Sequence, residues 1–353
     1  MYQPDLCTAG LTTAYSIKRR ISAVSIFLAL LASPCNACEN PINRNLLLSH
    51  LETPTLKRDY IVSGCADHVP SEGLPIIFAF HGGGERLHDA NNRGFLDFTA
   101  LSHLDALVIA PAGQSSHNGR SWINAFVWMK QHPQNDLDLP AALLADLKNR
   151  SDLPSINLHR VFALGKSDGA GRAMALACNR PPGLPLAGVA LVSGAYFGLH
   201  AATNFAPTKH AICLPAAPVA MLIIHGTGDR VMPYRGQTFR NPKALSGASD
   251  YWAAIDPSVD DHTSQTFTAD IERYIAVLAA QVFHCDSMQS SALGHVSTMS
   301  EGRNCTAPLR FITIDGGNHV WPGHAASGPQ SGQPQNMDFD ATAEIAAFFG
   351  ITK

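Results

Sequence analysis

The sequence predicts an α/β protein: a mostly parallel central sheet with helices on both faces, folded as one domain. Three observations predict it. Short apolar runs alternate with amphipathic stretches from Tyr60 onward, the order of strand, helix, strand that builds a parallel sheet. Runs such as VAMLII at 219–224 lack any apolar–polar alternation, as expected of strands covered on both faces. No linker-like break divides the chain after its N-terminal segment.

The elements follow in order. Leu74 to Phe80 (LPIIFAF) reads as a buried strand that ends at the glycine cluster Gly82 to Gly84. Ala106 to Ala110 is the next strand, stopped by Pro111. Leu139 to Arg150 carries Leu143, Leu144 and Leu147 at helical spacing. His159 to Leu164 is a strand and Gly169 to Cys178 an alanine-rich helix. Leu186 to Val192 and Val219 to Ile224 are two more apolar strands, each leading into a glycine-containing turn. Ile271 to Phe283 is a helix, Leu309 to Ile314 a strand, and Phe339 to Phe349 a closing helix. The Gly/Pro/Gln/Ser stretch at 325–335 is a surface loop.

Of 353 residues, 46% are hydrophobic and 15% charged, ample for one large core. A net charge of −3 without a Lys/Arg stripe argues against nucleic acid as a partner. Lys18, Arg19 and Arg20 precede an apolar run, Ile21 to Ala32, then small and polar residues up to Ala37. That is the layout of a secretory signal peptide. The run is shorter than the roughly 20 residues needed to span a bilayer. Residues 1–37 are therefore expected to be a signal peptide, and 38–353 a secreted or periplasmic catalytic domain. Cleavage there leaves Cys38, Cys65, Cys178, Cys213, Cys285 and Cys305, an even set suited to an oxidising compartment. The arithmetic leaves many pairings open; the simplest joins neighbours, Cys38–Cys65, Cys178–Cys213 and Cys285–Cys305. No pair among them has the C-x-x-C spacing of a zinc site.

Four motifs carry chemistry. Gly165-Lys166-Ser167-Asp168-Gly169 is a G-x-S-x-G between a predicted strand and helix. There a sharp turn lifts the serine hydroxyl clear of the sheet, and the helix N-terminus favours negative charge beside it. His81-Gly82-Gly83-Gly84 follows an early strand and matches the loop that supplies an oxyanion donor. The expected donors are the backbone amides of Gly83 and Asp168. His225-Gly226-Thr227-Gly228-Asp229 places an acid just beyond a late strand. Asp250, Asp256, Asp260, Asp261 and Asp315 compete for that role; the first four lack a preceding apolar strand, and Asp315 lies close in sequence to the proposed base. His319, on the glycine-rich loop after the last strand, completes the order Ser, Asp, His that marks an α/β-hydrolase. His81, His225 and His324 are the rival bases; His81 and His225 each lead a glycine turn and read as structural. Ser167 is thus the expected nucleophile, His319 the base and Asp229 the residue that orients it.

On these residues the chain from about Asp59 to Lys353 resembles the secreted polyhydroxybutyrate depolymerase and feruloyl esterase group of α/β-hydrolases. The resemblance lies in HGGG at His81, GKSDG at Gly165, HGTGDRVMPY at His225 and GGNHVWPG at Gly316. It implies that Ser167, Asp229 and His319 form the triad, and it suggests the pairs Cys178–Cys213 and Cys285–Cys305. The chain departs from the group at Lys166, Asp168 and Ala170, where small or apolar residues, Asn or Ala, and Gly are usual. Asp168 offers two effects: repulsion of an anionic substrate, or a raised pKa at His319.

The implied reaction is acyl transfer in two steps, with no metal or organic cofactor. The resemblance offers two substrates, feruloyl-type esters on polysaccharide and poly-3-hydroxybutyrate. Polyester depolymerases of the group generally carry an added binding domain, which favours the feruloyl-type reading here. Trp122 and Trp321, with Trp128, Tyr196 and Trp252, are candidates to line an aromatic acyl pocket, although such residues more often serve the core or rim. Two rivals are a peptidase using the same triad and a non-catalytic binding protein on the same fold. The partner expected is a small or polymeric ester, with no membrane span.

Overall fold

The computed structural model describes residues 38–42, 47–54, 56–83, 98–116, 119–121, 134–194, 214–215, 217–235, 238–239, 266–267, 270–323 and 336–351. The expected signal peptide lies outside them. The strands are β1 (Leu47–Glu52), β2 (Lys57–Gly64), β3 (Leu74–Phe80), β4 (Leu107–Pro111), β5 (Gln114–Ser116), β6 (Gly119–Ser121), β7 (Ile156–Lys166), β8 (Leu186–Val192), β9 (Ala220–Gly226), β10 (Thr238–Phe239), β11 (Thr266–Phe267), β12 (Ser287–Ala292), β13 (Ser297–Arg303) and β14 (Leu309–Ile314). The helices are α1 (Phe98–Leu101), α2 (Gln134–Leu147), α3 (Asp168–Cys178), α4 (Ile271–Val277) and α5 (Ala341–Phe349).

Among the described residues one sheet holds ten strands in the order β1-β2-β4-β3-β7-β8-β9-β14-β13-β12; β5–β6 and β10–β11 pair separately. The central strands β4, β3, β7, β8, β9 and β14 run parallel. Antiparallel strands close both edges: β2 and β1 on one side, β13 and β12 on the other. This is the α/β-hydrolase sheet, with its early exchange of β3 and β4, extended by one hairpin.

Side chains of the central strands alternate between two cores. Ile76, Phe78 and Phe80 of β3 pack with Leu143 of α2, Met174 of α3 and Tyr274 of α4. Ile77 and Ala79 of the same strand pack with Ile345 and Phe349 of α5 on the opposite face. Every residue of β3 and β4 is buried, which accounts for their unbroken apolar runs. Each large side chain removed from water in this way contributes about 1.5–3 kcal/mol.

The expected elements are present, with shifted ends. The helix expected over 139–150 begins at Gln134 and holds Pro140 within its second turn. The closing helix starts at Ala341 because the Asp340 carboxylate accepts the N–H groups of Thr342 and Ala343 and so caps it. The helix expected over 271–283 is α-helical only to Val277 and continues as a π turn, Leu278–Val282. No helix among the described residues is long and apolar enough to cross a membrane.

Two disulfides join described residues, Cys38–Cys65 and Cys285–Cys305. The second closes the base of the β12–β13 hairpin. Gly302 makes room for it, since a β carbon there would lie 2.2 Å from Cys305 Sγ. Cys178 is disulfide-bonded as well; Cys213, its expected partner, lies outside the described residues.

Candidate active site

Strand β7 sits mid-sheet between β3 and β8. It ends at Lys166, and α3 starts at Asp168, so Ser167 alone makes the turn. Its φ is 56°, uncommon for a residue with a β carbon. Such a conformation costs about 1–3 kcal/mol and persists only where neighbours enforce it. Here the Ser167 N–H donates to Val192 O at 2.9 Å, and Gly171 N–H donates to Ser167 O at 3.1 Å. The flanking glycines are required by close approach. A β carbon on Gly165 would stand 2.3 Å from the Gly169 carbonyl, and one on Gly169 would stand 2.0 Å from Phe80 O.

That second approach also seats the elbow against the end of β3, where the HGGG loop begins. The His81 ring is buried and ties two strand ends together: Nδ1–H donates to Gly82 O at 2.7 Å, and Nε2 accepts the Gly113 N–H at 2.9 Å. Gly83 follows directly and is half-buried, while Asp168 opens α3. Loop and helix start therefore flank the elbow, the arrangement an oxyanion site requires. Gly84 lies outside the described residues.

Acid and base come from adjacent parallel strands, β9 and β14. Their exit loops are stitched by Thr227 N–H to Ile314 O and Gly228 N–H to Gly317 O, both 2.9 Å. Asp229 Oδ2 accepts from His319 Nδ1 at 2.8 Å. Its other oxygen, Oδ1, accepts the N–H groups of Val231 and Met232 at 2.9 and 2.8 Å. With Nδ1–H committed to Asp229, His319 Nε2 is left as the acceptor. It is buried and has no hydrogen-bond partner among the described residues. The hydroxyl of Ser167 is therefore not hydrogen-bonded to it in this structure.

Burial and neighbouring charges set the protonation of the Asp229–His319 pair. Burial works to raise the pKa of Asp229, but the charge and hydrogen bond of His319, with lesser help from His225 and Met232 N–H, hold it below the ordinary carboxylate value. Burial, then the positive charge of Lys166, push His319 below the ordinary imidazole value against the pull of Asp229. At neutral pH the pair is a carboxylate beside a neutral imidazole, ready to take a proton.

Among the rival acids, Asp315 accepts the Thr227 hydroxyl at 3.2 Å and faces solvent; Asp250, Asp256, Asp260 and Asp261 lie outside the described residues. His324 lies outside them too. Trp321, a candidate for the acyl pocket, lies in the core. It is 2% exposed, packs in the α5-side core and donates its indole N–H to Thr342 Oγ1 at 3.1 Å. It supports the base loop from beneath because it lies two residues past His319, on the side that faces α5. Trp122, Trp128, Tyr196 and Trp252 lie outside the described residues.

Two residues matter more than their sequence context suggested. His225 is fully buried; its Nε2 contacts Met232 O at 2.8 Å and lies 3.5 Å from Asp229 Oδ2. It braces the acid loop rather than merely leading a glycine turn. The i, i+4 spacing of His225 and Asp229 was the available signal. Lys166 is likewise buried, and its Nζ donates to the His319 carbonyl at 3.0 Å. Asp168, by contrast, acts on the buried Arg172 of α3.

No family model matches the chain. It is similar to the protein named "Putative esterase NocK" of Nocardia uniformis subsp. tsuyamanensis, 27% identical over 259 residues, 71% of this chain and 67% of that protein. Among solved structures it is similar to an alpha-beta serine hydrolase homologue from Coxiella burnetii (12% identity, 86% of this chain and 95% of that one, TM-score 0.40). It is also similar to the acetyl xylan esterase from Aspergillus awamori (14% identity, 86% and 99%, TM-score 0.44). A third is esterase 2 of Thermogutta terrifontis (11% identity, 87% and 94%, TM-score 0.47). The fold itself rests on the strand order and pairings above: the chain has the α/β-hydrolase fold, and its elbow, acid loop and base loop lie at one end of the parallel strands.

Proposed function

We propose that the protein is a secreted serine esterase that works through an acyl-enzyme, on feruloyl-type esters of polysaccharide. The observation that carries the catalytic part is the Asp229–His319 pair at 2.8 Å, with Nε2 of the imidazole unpartnered beside a strained serine elbow. His319 takes the proton of Ser167 as its oxygen attacks the ester carbonyl. The amides of Gly83 and Asp168 receive the negative charge on the carbonyl oxygen. The C–O bond to the alcohol breaks as His319 returns the proton to the leaving oxygen. Water, deprotonated by His319, then attacks the acyl-enzyme and releases the acid with Ser167 restored. Throughout, Asp229 keeps the imidazole in one tautomer and offsets its transient positive charge.

The esterase name of the NocK relative supports ester rather than amide hydrolysis. The HGGG, GKSDG, HGTGDRVMPY and GGNHVWPG motifs support feruloyl-type substrates by resemblance. Export is supported by the N-terminal charged and apolar layout and by disulfides, which persist in oxidising compartments. The test is a comparison of methyl ferulate with a poly-3-hydroxybutyrate film as substrates of the purified chain. Release of ferulate without clearing of the film is the expected result. Film clearing without ferulate release would move the substrate to the polyester, and turnover of neither would remove both.

A further inference from the structure

Lys166 fills the elbow position before the nucleophile, and its side chain is fully buried at the end of β7. A buried ammonium is costly, and an apolar side chain of similar length would fill the same space. Its Nζ reaches across 153 residues of sequence to donate to the carbonyl of His319 at 3.0 Å. That bond joins the strand bearing the nucleophile to the loop bearing the base, which is also held by the β9 loop and, through Trp321, by α5.

We propose that Lys166 is a positioning residue: it clamps the His319 loop to the nucleophile elbow and sets a fixed positive charge beside the imidazole, widening the working range of the site toward acid. The inference rests on the serine-hydrolase reading above. The groups acting on the imidazole come from each neighbouring element. Asp229, from the loop after β9, favours the imidazolium; Lys166 from β7 and His225 from β9 oppose it, together with burial. Asp168, at the start of α3, has its charge beside Arg172, and Asp315 of the base loop holds the Thr227 hydroxyl. Lys166 is thus the elbow residue whose charge bears on the base. A positive charge there disfavours a second one on His319, so the imidazole stays a proton acceptor in more acidic medium and is a somewhat weaker base.

The test uses the full chain and two variants, Lys166→Met, which removes tether and charge, and Lys166→Gln, which removes the charge but keeps a donor. Two quantities are read: the acid limb of kcat/KM for p-nitrophenyl acetate, and the titration of the His319 ring by NMR. Both midpoints are expected to rise by about one pH unit in each variant, and kcat is expected to fall more in Met than in Gln. Midpoints equal to wild type in a folded variant would overturn the inference. If neither variant folds, Lys166→Arg decides, since it keeps both charge and donor: a His319 midpoint within about 0.3 pH unit of wild type supports the inference, and a midpoint that rises despite the retained charge overturns it. The ring titration needs no turnover, so it stands apart from Ser167→Ala, whose retained activity would sink the hydrolase reading instead.

Discussion

Gly226 at the end of β9 lies so close to the carbonyl of Gly317 that a β carbon on it would stand 2.2 Å from that oxygen. The contact joins the loop carrying the acid to the loop carrying the base. It is backbone against backbone, so no flexible side chain can yield. Gly226→Ala is therefore expected to push the loops apart and misplace His319 against Ser167. A displacement of about 1 Å costs on the order of 100-fold in rate. Steady-state kinetics on a model ester should show the loss in kcat with KM little changed. A variant with wild-type kcat would show that the loop contact does not set the geometry.

Asp229 accepts from His319 through one oxygen and from two backbone N–H groups through the other. Asp229→Asn keeps the size but presents an amide to Nδ1, favouring the wrong tautomer. The expected fall in kcat is roughly 1,000- to 10,000-fold, with the fold retained by circular dichroism. A loss below tenfold would assign the orienting role to another acid.

His319 and His225 are both fully buried with pKa values held below the ordinary imidazole value, chiefly by burial. In the unfolded chain both return to about 6.5. The unfolded state thus binds more protons below that pH, and the stability these groups contribute is complete above it. It is lost as pH falls toward their lower folded values, by at most about 1.4 kcal/mol per pH unit for each group. Asp229, also depressed, adds a second loss that begins only below about pH 4. Melting temperature should decline from pH 6.5 downward, and less steeply in His225→Gln. A melting temperature flat across that interval would contradict the buried, neutral state of both rings.

The Cys285–Cys305 bridge closes a hairpin whose outer strand is largely exposed. Replacing both cysteines with serine is expected to cost about 3 kcal/mol of stability, read as a lower urea midpoint. Because the bridge lies at the sheet edge, kcat of the folded variant should stay within about threefold of wild type. A large fall in kcat at full folding would mean that the hairpin helps hold β14 and the base loop.

The central strands were legible because they are covered on both faces. Leu74 to Phe80, Leu186 to Val192 and Leu309 to Ile314 coincide with β3, β8 and β14. The edge strands were not. β12 reads SMQSSA with almost every residue exposed, so it leaves neither an apolar run nor an alternation. Its place comes from pairing with β13, a tertiary fact. The candidate site residues stand on local motifs that a sequence displays: a glycine-flanked serine, an acid after a strand, a histidine on a glycine loop. The bracing was not. Lys166 reaches His319 across 153 residues, and Trp321 turns into the α5-side core. Neither contact has a local pattern.

The most direct measurement is labelling with a fluorophosphonate, followed by mass spectrometry of the peptides. One adduct is expected, on Ser167, at a rate that rises with pH through the His319 titration. Ser167→Ala is expected to take up no label and to lose at least about 1,000-fold in ester hydrolysis. Labelling of a different serine, or hydrolysis undiminished in Ser167→Ala, would contradict the assignment of the nucleophile.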